Sequence, residues 1–368
     1  MALREEFTFT GSRSYLTRKV WSSDLHVKVQ DLTLFKRHGM IGKDKAGENV
    51  FEDEEFSAFP IVYNDAVKGK GKGDQVTLGM FTPLSGAGVS GTTALVDSEE
   101  NLTFRNTKVT LSLKRNGAGW LSEMTEQRSP FEIPNTVNAA LRLWMAQQID
   151  TDIFDTIYLG FPKFVTTDCS LTAIQHPNKI FGGTATSEAE VEASGVLNTD
   201  CLERAAVWCD ENNIPYCKIK GYDDVRPVLI HPRQWKTLRD DPVWRSDNRE
   251  GWNRGMDNPI FRQAKGICAG FLIHVSNKVQ TPVNETNGGA NYADKRRAIV
   301  LGANAVIYAQ SQDSMEIRIR KEDDYGMKNG RAIRAIYGMR RADWDTDADA
   351  SYINQSSALL TTWAPAVT

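Results

Sequence analysis

The chain has 368 residues, of which 40% are apolar, 25% charged and 9% aromatic; this allows two or three structural units and excludes collagen-like or broadly disordered sequence. With 44 Lys and Arg against 47 Asp and Glu, the net charge is −3, which argues against a protein that grips nucleic-acid phosphates over a wide surface. Nine Trp residues are an excess of a side chain enriched where partners bury each other.

The opening residues, Met1-Ala2-Leu3-Arg4-Glu5-Glu6, contain no apolar core of a secretory signal. They also show no pro-segment, which predicts no N-terminal maturation cleavage. The longest apolar stretch, residues 298–309, is interrupted by Asn304 and is too short to cross a bilayer, so no membrane partner is expected. The five Cys residues, 169, 201, 209, 217 and 268, are an odd set without CxxC pairs; they read as reduced thiols in a cytosolic setting.

Residues 1–20 have no period and predict an extended arm. From Trp21, Leu25, Val29, Leu32 and Phe35 recur at helical spacing until Gly39. The acidic run Glu52-Asp53-Glu54-Glu55 reads as a solvated face, and Lys68-Gly69-Lys70-Gly71-Lys72-Gly73 as a flexible basic link. Val76, Leu78 and Met80 alternate as in a half-buried strand, and residues 107–114 form a matching strand with Val109, Leu111 and Leu113 on one face. About 25 Gly-, Ser- and Thr-rich residues lie between them, too long for an ordinary loop, so the pair predicts a long projecting hairpin. The clearest helix spans residues 135–159, opened by Pro134 and Asn135. Its stripe is Val137, Leu141, Trp144, Ile149, Ile153 and Ile157, and its length is roughly 36 Å.

After Pro162 the texture changes to short alternating elements. Asp200 with Glu203 resembles a capping box opening a helix through Trp208 and Cys209, stopped by Asn212-Asn213 and Pro215. Strands are predicted at 216–220, 227–230 and 270–275, with a short helix from Pro232. Residues 315–320 and 331–337 read as a second long hairpin. The fold class is α+β.

The search for chemistry finds little. Gly86-Ala87-Gly88-Val89-Ser90-Gly91 matches GxGxxG, but no amphipathic helix follows to hold a pyrophosphate, so the glycines serve a bent loop. The Lys-Gly run lacks P-loop spacing. Asp343, Asp345, Asp347 and Asp349 imitate a calcium loop, yet Ala348 stands where Gly is needed and Asn354 where a bidentate Glu belongs; the default is a solvated acidic tail. The His residues 26, 38, 176, 231 and 274 form no close metal pair, and His231 before Pro232 reads as a hydrogen-bonded structural histidine. Cys201 and Cys209 share a helical face suited to core packing. No catalytic set, metal or cofactor is expected.

One resemblance organises these observations. Gly73-Asp74-Gln75-Val76-Thr77-Leu78, Pro83-Leu84-Ser85-Gly86-Ala87-Gly88-Val89 and Ser98-Glu99-Glu100-Asn101-Leu102 are similar to a podophage-associated family of tailed-phage major capsid proteins with the Hong Kong 97-type fold. So are Gln127-Arg128, Leu143-Trp144 and Ile149-Asp150 at the long helix. The block Leu229-Ile230-His231-Pro232-Arg233-Gln234-Trp235-Lys236-Thr237-Leu238-Arg239 follows the same pattern. Asn258-Pro259-Ile260-Phe261, Leu301-Gly302-Ala303-Asn304-Ala305 and Asp324-Tyr325-Gly326 complete a series running in order over about residues 70–340.

The resemblance implies an N-terminal arm and helix at 1–50 and an E-loop at 79–107. It implies a peripheral domain from 51–78, 108–165 and 301–345, an axial domain at 166–300, and a tail at 346–368 on the axial side. It also implies hexamers and pentamers forming an icosahedral shell, in the virion after assembly in the host cytoplasm, with no enzymatic role. Portal, scaffold and decoration proteins are the further partners it allows, and packaged double-stranded DNA meets the shell by non-specific proximity. Intersubunit contacts are expected from Pro83, Leu84, Gly86, Gly88, Leu95, Glu99, Glu100 and Leu102, with Leu84, Leu95 and Leu102 as anchors. His231, Trp235, Arg239 and Trp244 are expected to support the axial domain. An encapsulin-type compartment shell shares the fold class. A soluble enzyme with residues 79–107 as a lid is the reading from a different class.

Overall fold

The computed structural model describes residues 34–43, 59–64, 74–81, 84, 86, 88–90, 99–101, 104–120, 123–129, 132–165, 175–219, 222–246, 266–282, 292–311, 316–319, 329–346 and 349–366. A helical turn, Leu34–Arg37, is followed by β1 (Ile41–Lys43), β2 (Ile61–Asn64), β3 (Gln75–Phe81), β4 (Phe104–Thr110) and β5 (Ser112–Trp120). The helices Glu123–Arg128 and Ile133–Leu159 then lead to β6 (Lys179–Phe181), the helix Thr199–Glu211, β7 (Cys217–Ile219), β8 (Tyr222–Ile230) and the helix Pro232–Asp240. Next come β9 (Gly266–Cys268), β10 (Phe271–Val275), β11 (Lys295–Leu301), β12 (Val306–Gln310) and β13 (Glu316–Ile319). The last strands are β14 (Asn329–Arg341), β15 (Trp344–Thr346), β16 (Asp349–Ile353) and β17 (Ser357–Trp363). This is a mixed α+β fold of three sheets.

The six-stranded sheet has the order β1-β2-β12-β14-β13, with β5 also paired to β14. The spine helix Ile133–Leu159 packs on β14, β5 and β12. Its 27 residues make it about 40 Å long. Pro134 lies in its first turn, where a missing N–H costs nothing. Gly160 ends it with φ 85°, donating its N–H to Thr156 O, a left-handed cap that a side chain would strain.

The seven-stranded sheet has the order β6-β17-β11-β8-β10-β9, with β7 also on β8. Its central strands are apolar on both faces. Leu229, Leu272, Ile299 and Leu359 join the core under the spine helix, while Val228, Ile230, Phe271, Ile273, Ala298, Val300, Ala358 and Leu360 join the core that holds the helices Thr199–Glu211 and Pro232–Asp240. Period-2 alternation therefore feeds two cores from one sheet. A sheet covered on both faces needs near-continuous apolar runs, which is what these segments are.

The four-stranded sheet has the order β16-β15-β4-β3. A third, smaller core joins it to the six-stranded sheet through Val76, Val109 and Leu111 against Ile307, Ala309 and Ala342. At Gly338 the carbonyl of Thr110 lies where a Cβ would stand, so β4 crosses β14 in backbone contact.

The structure corrects four expectations. The strand expected at 107–114 is two strands: Leu111 N donates to Asp74 O (2.7 Å), β4 ends at Thr110, and β5 pairs with β14 in the other sheet. Leu113, expected inward, is 45% exposed. The helix at 199–211 is capped by Asn198, whose Oδ1 accepts from Cys201 N (2.9 Å), and not by Asp200. Asp343, expected in a solvated tail, is wholly buried against Arg341. The arm, the acidic run, the Lys-Gly link, Asn258 to Phe261 and Asp324 to Gly326 lie outside the described residues, apart from residues 34–43 of the arm.

Candidate functional site

β3 and β4 form an antiparallel ladder from Gln75↔Thr110 at the base to Phe81↔Phe104 at the outer end. Burial falls along it. Val76 and Val109 belong to the core at the base, whereas Phe104 is 69% and Leu84 62% exposed at the far end. Gly86, Gly88, Glu99 and Glu100 are exposed too. Glu100 Oε2 accepts from Gly86 N (2.7 Å), tying the two sides of the loop together across fourteen positions of chain. Gly88 has φ 67°, the bend that its lack of a Cβ permits. Pro83, Leu95 and Leu102 lie outside the described residues.

A buried polar network joins the two large sheets. Arg341, at the end of β14, is the largest fully buried side chain among the described residues. Its Nε donates to both oxygens of Asp343 (2.9 Å each), Nη1 to Ile157 O (2.8 Å) and Nη2 to Gln175 O (3.2 Å). Asn354 Nδ2 donates to Asp343 Oδ1 (2.9 Å), and Asn354 Oδ1 accepts from Ser356 N and Ser357 N (3.0 and 2.9 Å). His176 closes the chain: its Nδ1 accepts from Asn178 N (3.1 Å), which leaves Nε2 as the donor to Ser357 Oγ (3.0 Å). Burial and the nearby Arg341 charge hold His176 far below the ordinary histidine value, so it stays neutral.

The spine helix carries three more buried carboxylates. Asp150 accepts from Leu34 N (2.8 Å) and anchors the arm helix, with Phe35 stacked on Phe154 (centroids 5.2 Å). Asp152 takes Lys114 Nζ (2.7 Å) and Tyr337 Oη (2.6 Å); burial raises its pKa, while both partners pull it back down. Asp155 accepts from Gln280 Nε2 (2.8 Å). These ties reach the arm, two strands of the six-stranded sheet and the 276–282 segment from one helix. Sequence reasoning touched Asp150 only as part of the Ile149-Asp150 match and did not single out Asp152 or Asp155. The available signal was three Asp residues toward the negative end of a helix with no basic residue in its last turn, an unfavourable placement unless partners come from elsewhere.

The axial candidates stand around the second core. His231 is the N-cap of the helix Pro232–Asp240: its ring accepts from Arg233 N (3.2 Å), while its own N–H donates to Gln234 Oε1 (2.9 Å). Burial lowers its pKa to about 4, so it remains an acceptor at neutral pH. Gln234 then reaches Thr362 Oγ1 (2.7 Å) and Arg296 O (3.1 Å), fixing the helix to β17 and β11. Trp235 and Trp244 meet edge to face (5.8 Å, 84°). Trp244 lies against Gly266, where a Cβ would collide with its ring. Arg239 is exposed in the last turn of the helix. Among the described residues no cluster of His, Cys, Asp or Glu could hold a metal ion.

A family model described as phage capsid protein matches residues 21–360. The major capsid protein of Pseudomonas phage KPP25 is 22% identical over 292 residues, covering 73% of this chain and 77% of that protein. The fold is similar to the capsid of Ralstonia phage GP4, with a TM-score of 0.73, 19% identity, and 99% of each chain covered. It is also similar to the capsid of cyanophage Pam1, with a TM-score of 0.72, 16% identity, and 98% of this chain and 99% of that one covered.

Proposed function

The chain belongs to the phage capsid protein family and is a phage major capsid protein; from that premise we propose that it works as a closed lattice of its own copies, hexamers and pentamers around double-stranded DNA. The observation that carries this reading is the β3–β4 hairpin, rooted in a core at Val76 and Val109 yet presenting Leu84 and Phe104 to solvent. An apolar tip held away from its own body is stabilised by lying on a neighbour, and head-to-tail contacts that close produce rings. Many modest contacts per subunit then add through multivalency.

In this reading the six-stranded sheet and spine helix form the peripheral unit. The seven-stranded sheet, completed by β17 from the C-terminal tail, forms the axial unit. Leu84, Gly86, Gly88, Glu99 and Glu100 face an adjacent copy together with Pro83, Leu95 and Leu102. His231, Trp235, Arg239 and Trp244 shape the unit nearest the local symmetry axis. Assembly takes place in the host cytoplasm, portal, scaffold and decoration proteins are further partners, and no catalytic step is assigned to the chain.

Expression of the full chain followed by light scattering and electron microscopy tests the proposal. Closed particles or capsomer rings are the expected result. A chain that remains monomeric at every concentration, with or without a co-expressed scaffold, overturns it.

A further inference from the structure

β4 carries an anomaly. Arg105, Thr107 and Val109 share one face of the strand by alternation, and opposite them in register stand Met80, Leu78 and Val76 of β3. This face begins in the third core at Val109 and runs outward. Thr107 is 1% exposed and its Oγ1 has no hydrogen-bond partner. In Arg105, one step further out, Nε and Nη1 are both buried and unpartnered, and no ion pair joins it among the described residues. Arg341 shows what a satisfied buried guanidinium looks like in this molecule, with Nε, Nη1 and Nη2 all engaged.

Arg105 is half-buried, and a guanidinium with two nitrogens out of water and no anion destabilises the subunit that carries it. We propose that Arg105 is an assembly contact completed by a carboxylate from a second copy of this chain, received by its unpartnered Nε and Nη1 at the outer end of the hairpin. The inference rests on the shell reading and deepens it by naming the residue and the chemistry of one contact.

Three features favour a protein carboxylate. The planar fork of Arg suits a carboxylate held bidentately. In register beside it stands Met80, with Leu78 next along the same face, and an Arg set on an apolar strand face has the composition of an interface centre. The other oxyanion at hand, a nucleic-acid phosphate, would meet Glu99 and Glu100, both exposed on the returning side of the same loop. Those carboxylates would repel a polyanion.

The test compares wild type, Arg105→Ala and Arg105→Lys as full chains, reading the melting temperature before assembly and the concentration at which particles form without DNA. The unassembled Ala variant should melt at the wild-type temperature or above it, because a half-buried cation with two unpartnered nitrogens has been removed. Its assembly threshold should rise roughly 30-fold or more, as for a lost interfacial charge pair. The Lys variant should recover part of that loss. Three outcomes overturn the inference: a wild-type threshold in the Ala variant; a lowered melting temperature, which would give Arg105 a role within its own subunit; or a defect seen only in DNA-filled particles, which would assign Arg105 to phosphate. Wild type that never assembles is a different result, because it removes the shell reading itself.

Discussion

The sheet junction and the projecting hairpin treat buried charge in opposite ways. At the junction, Arg341 and Asp343 are 0% exposed, and each is ringed by further hydrogen bonds, from Ile157 O and Gln175 O on one side and Asn354 on the other. On the hairpin, Arg105 is buried at two nitrogens with no partner. The first arrangement belongs to a subunit complete in itself. On the proposal made for Arg105, the second awaits contacts from outside, and stability of the fold and stability of the assembly then reside in different residues and can be separated.

The sharpest way to break this comparison is at the junction. Arg341→Ala leaves Asp343 buried beside an empty guanidinium site and should destabilise the unassembled chain by about 3–5 kcal/mol, measured by denaturant unfolding at concentrations too low for assembly. A loss under about 1 kcal/mol would mean that the Arg341–Asp343 pair does not hold the junction together.

A middle-sized effect is expected in acid. His274 is buried on β10 with its ring 4.2 Å from that of His38, and its Nε2 has no hydrogen-bond partner. Burial, with a smaller contribution from His38, lowers its pKa from 6.5 to about 3. The unfolded chain therefore binds a proton that the folded chain refuses between those values. Stability is fully present above pH 6.5 and falls as the pH drops toward 3, by at most about 1.4 kcal/mol per pH unit from this group. His274→Gln should flatten that portion of the curve relative to wild type, while the parts due to His176 and His231 persist. An unchanged slope would show that the His38–His274 contact opens without cost.

The smallest change in the subunit should come from the hairpin tip. Leu84 is 62% exposed, and Leu84→Ala should leave the unassembled melting curve within about 0.5 kcal/mol of wild type, yet slow particle formation followed by light scattering. A drop in subunit stability equal to the loss in assembly would erase the distinction between the two regions.

What the sequence revealed follows the range of its signals. The spine helix, the base of the first hairpin and the strand-to-helix block at His231 were legible because their patterns are local: a stripe at helical spacing, alternation, and a cap. The break at Leu111 was hidden because Val109, Leu111 and Leu113 keep alternating while the chain changes sheets; each sheet has its own apolar face, and period alone does not say which one a strand joins. Asp343 was misread because its sequence neighbours are acidic and its further partners, Asn354 and the segments that share Arg341, come from elsewhere in the chain. The residues expected to meet a neighbour came from the resemblance alone, since no local pattern marks a surface for assembly. Arg105 was invisible, since a missing partner leaves no trace in a linear sequence.

β14 has one further consequence. Its 13 residues are paired along one side with β13 and then β12, and along the other with β5, while its last residue is Arg341, locked to the end of the spine helix. A tug arriving at the tip of this ribbon runs along the strand, across ladders whose bonds lie perpendicular to it. Many bonds would have to fail at once instead of opening singly like a zipper. The strand is thus placed as a tension member, able to pass a mechanical load from the rim of the subunit to its centre without unravelling.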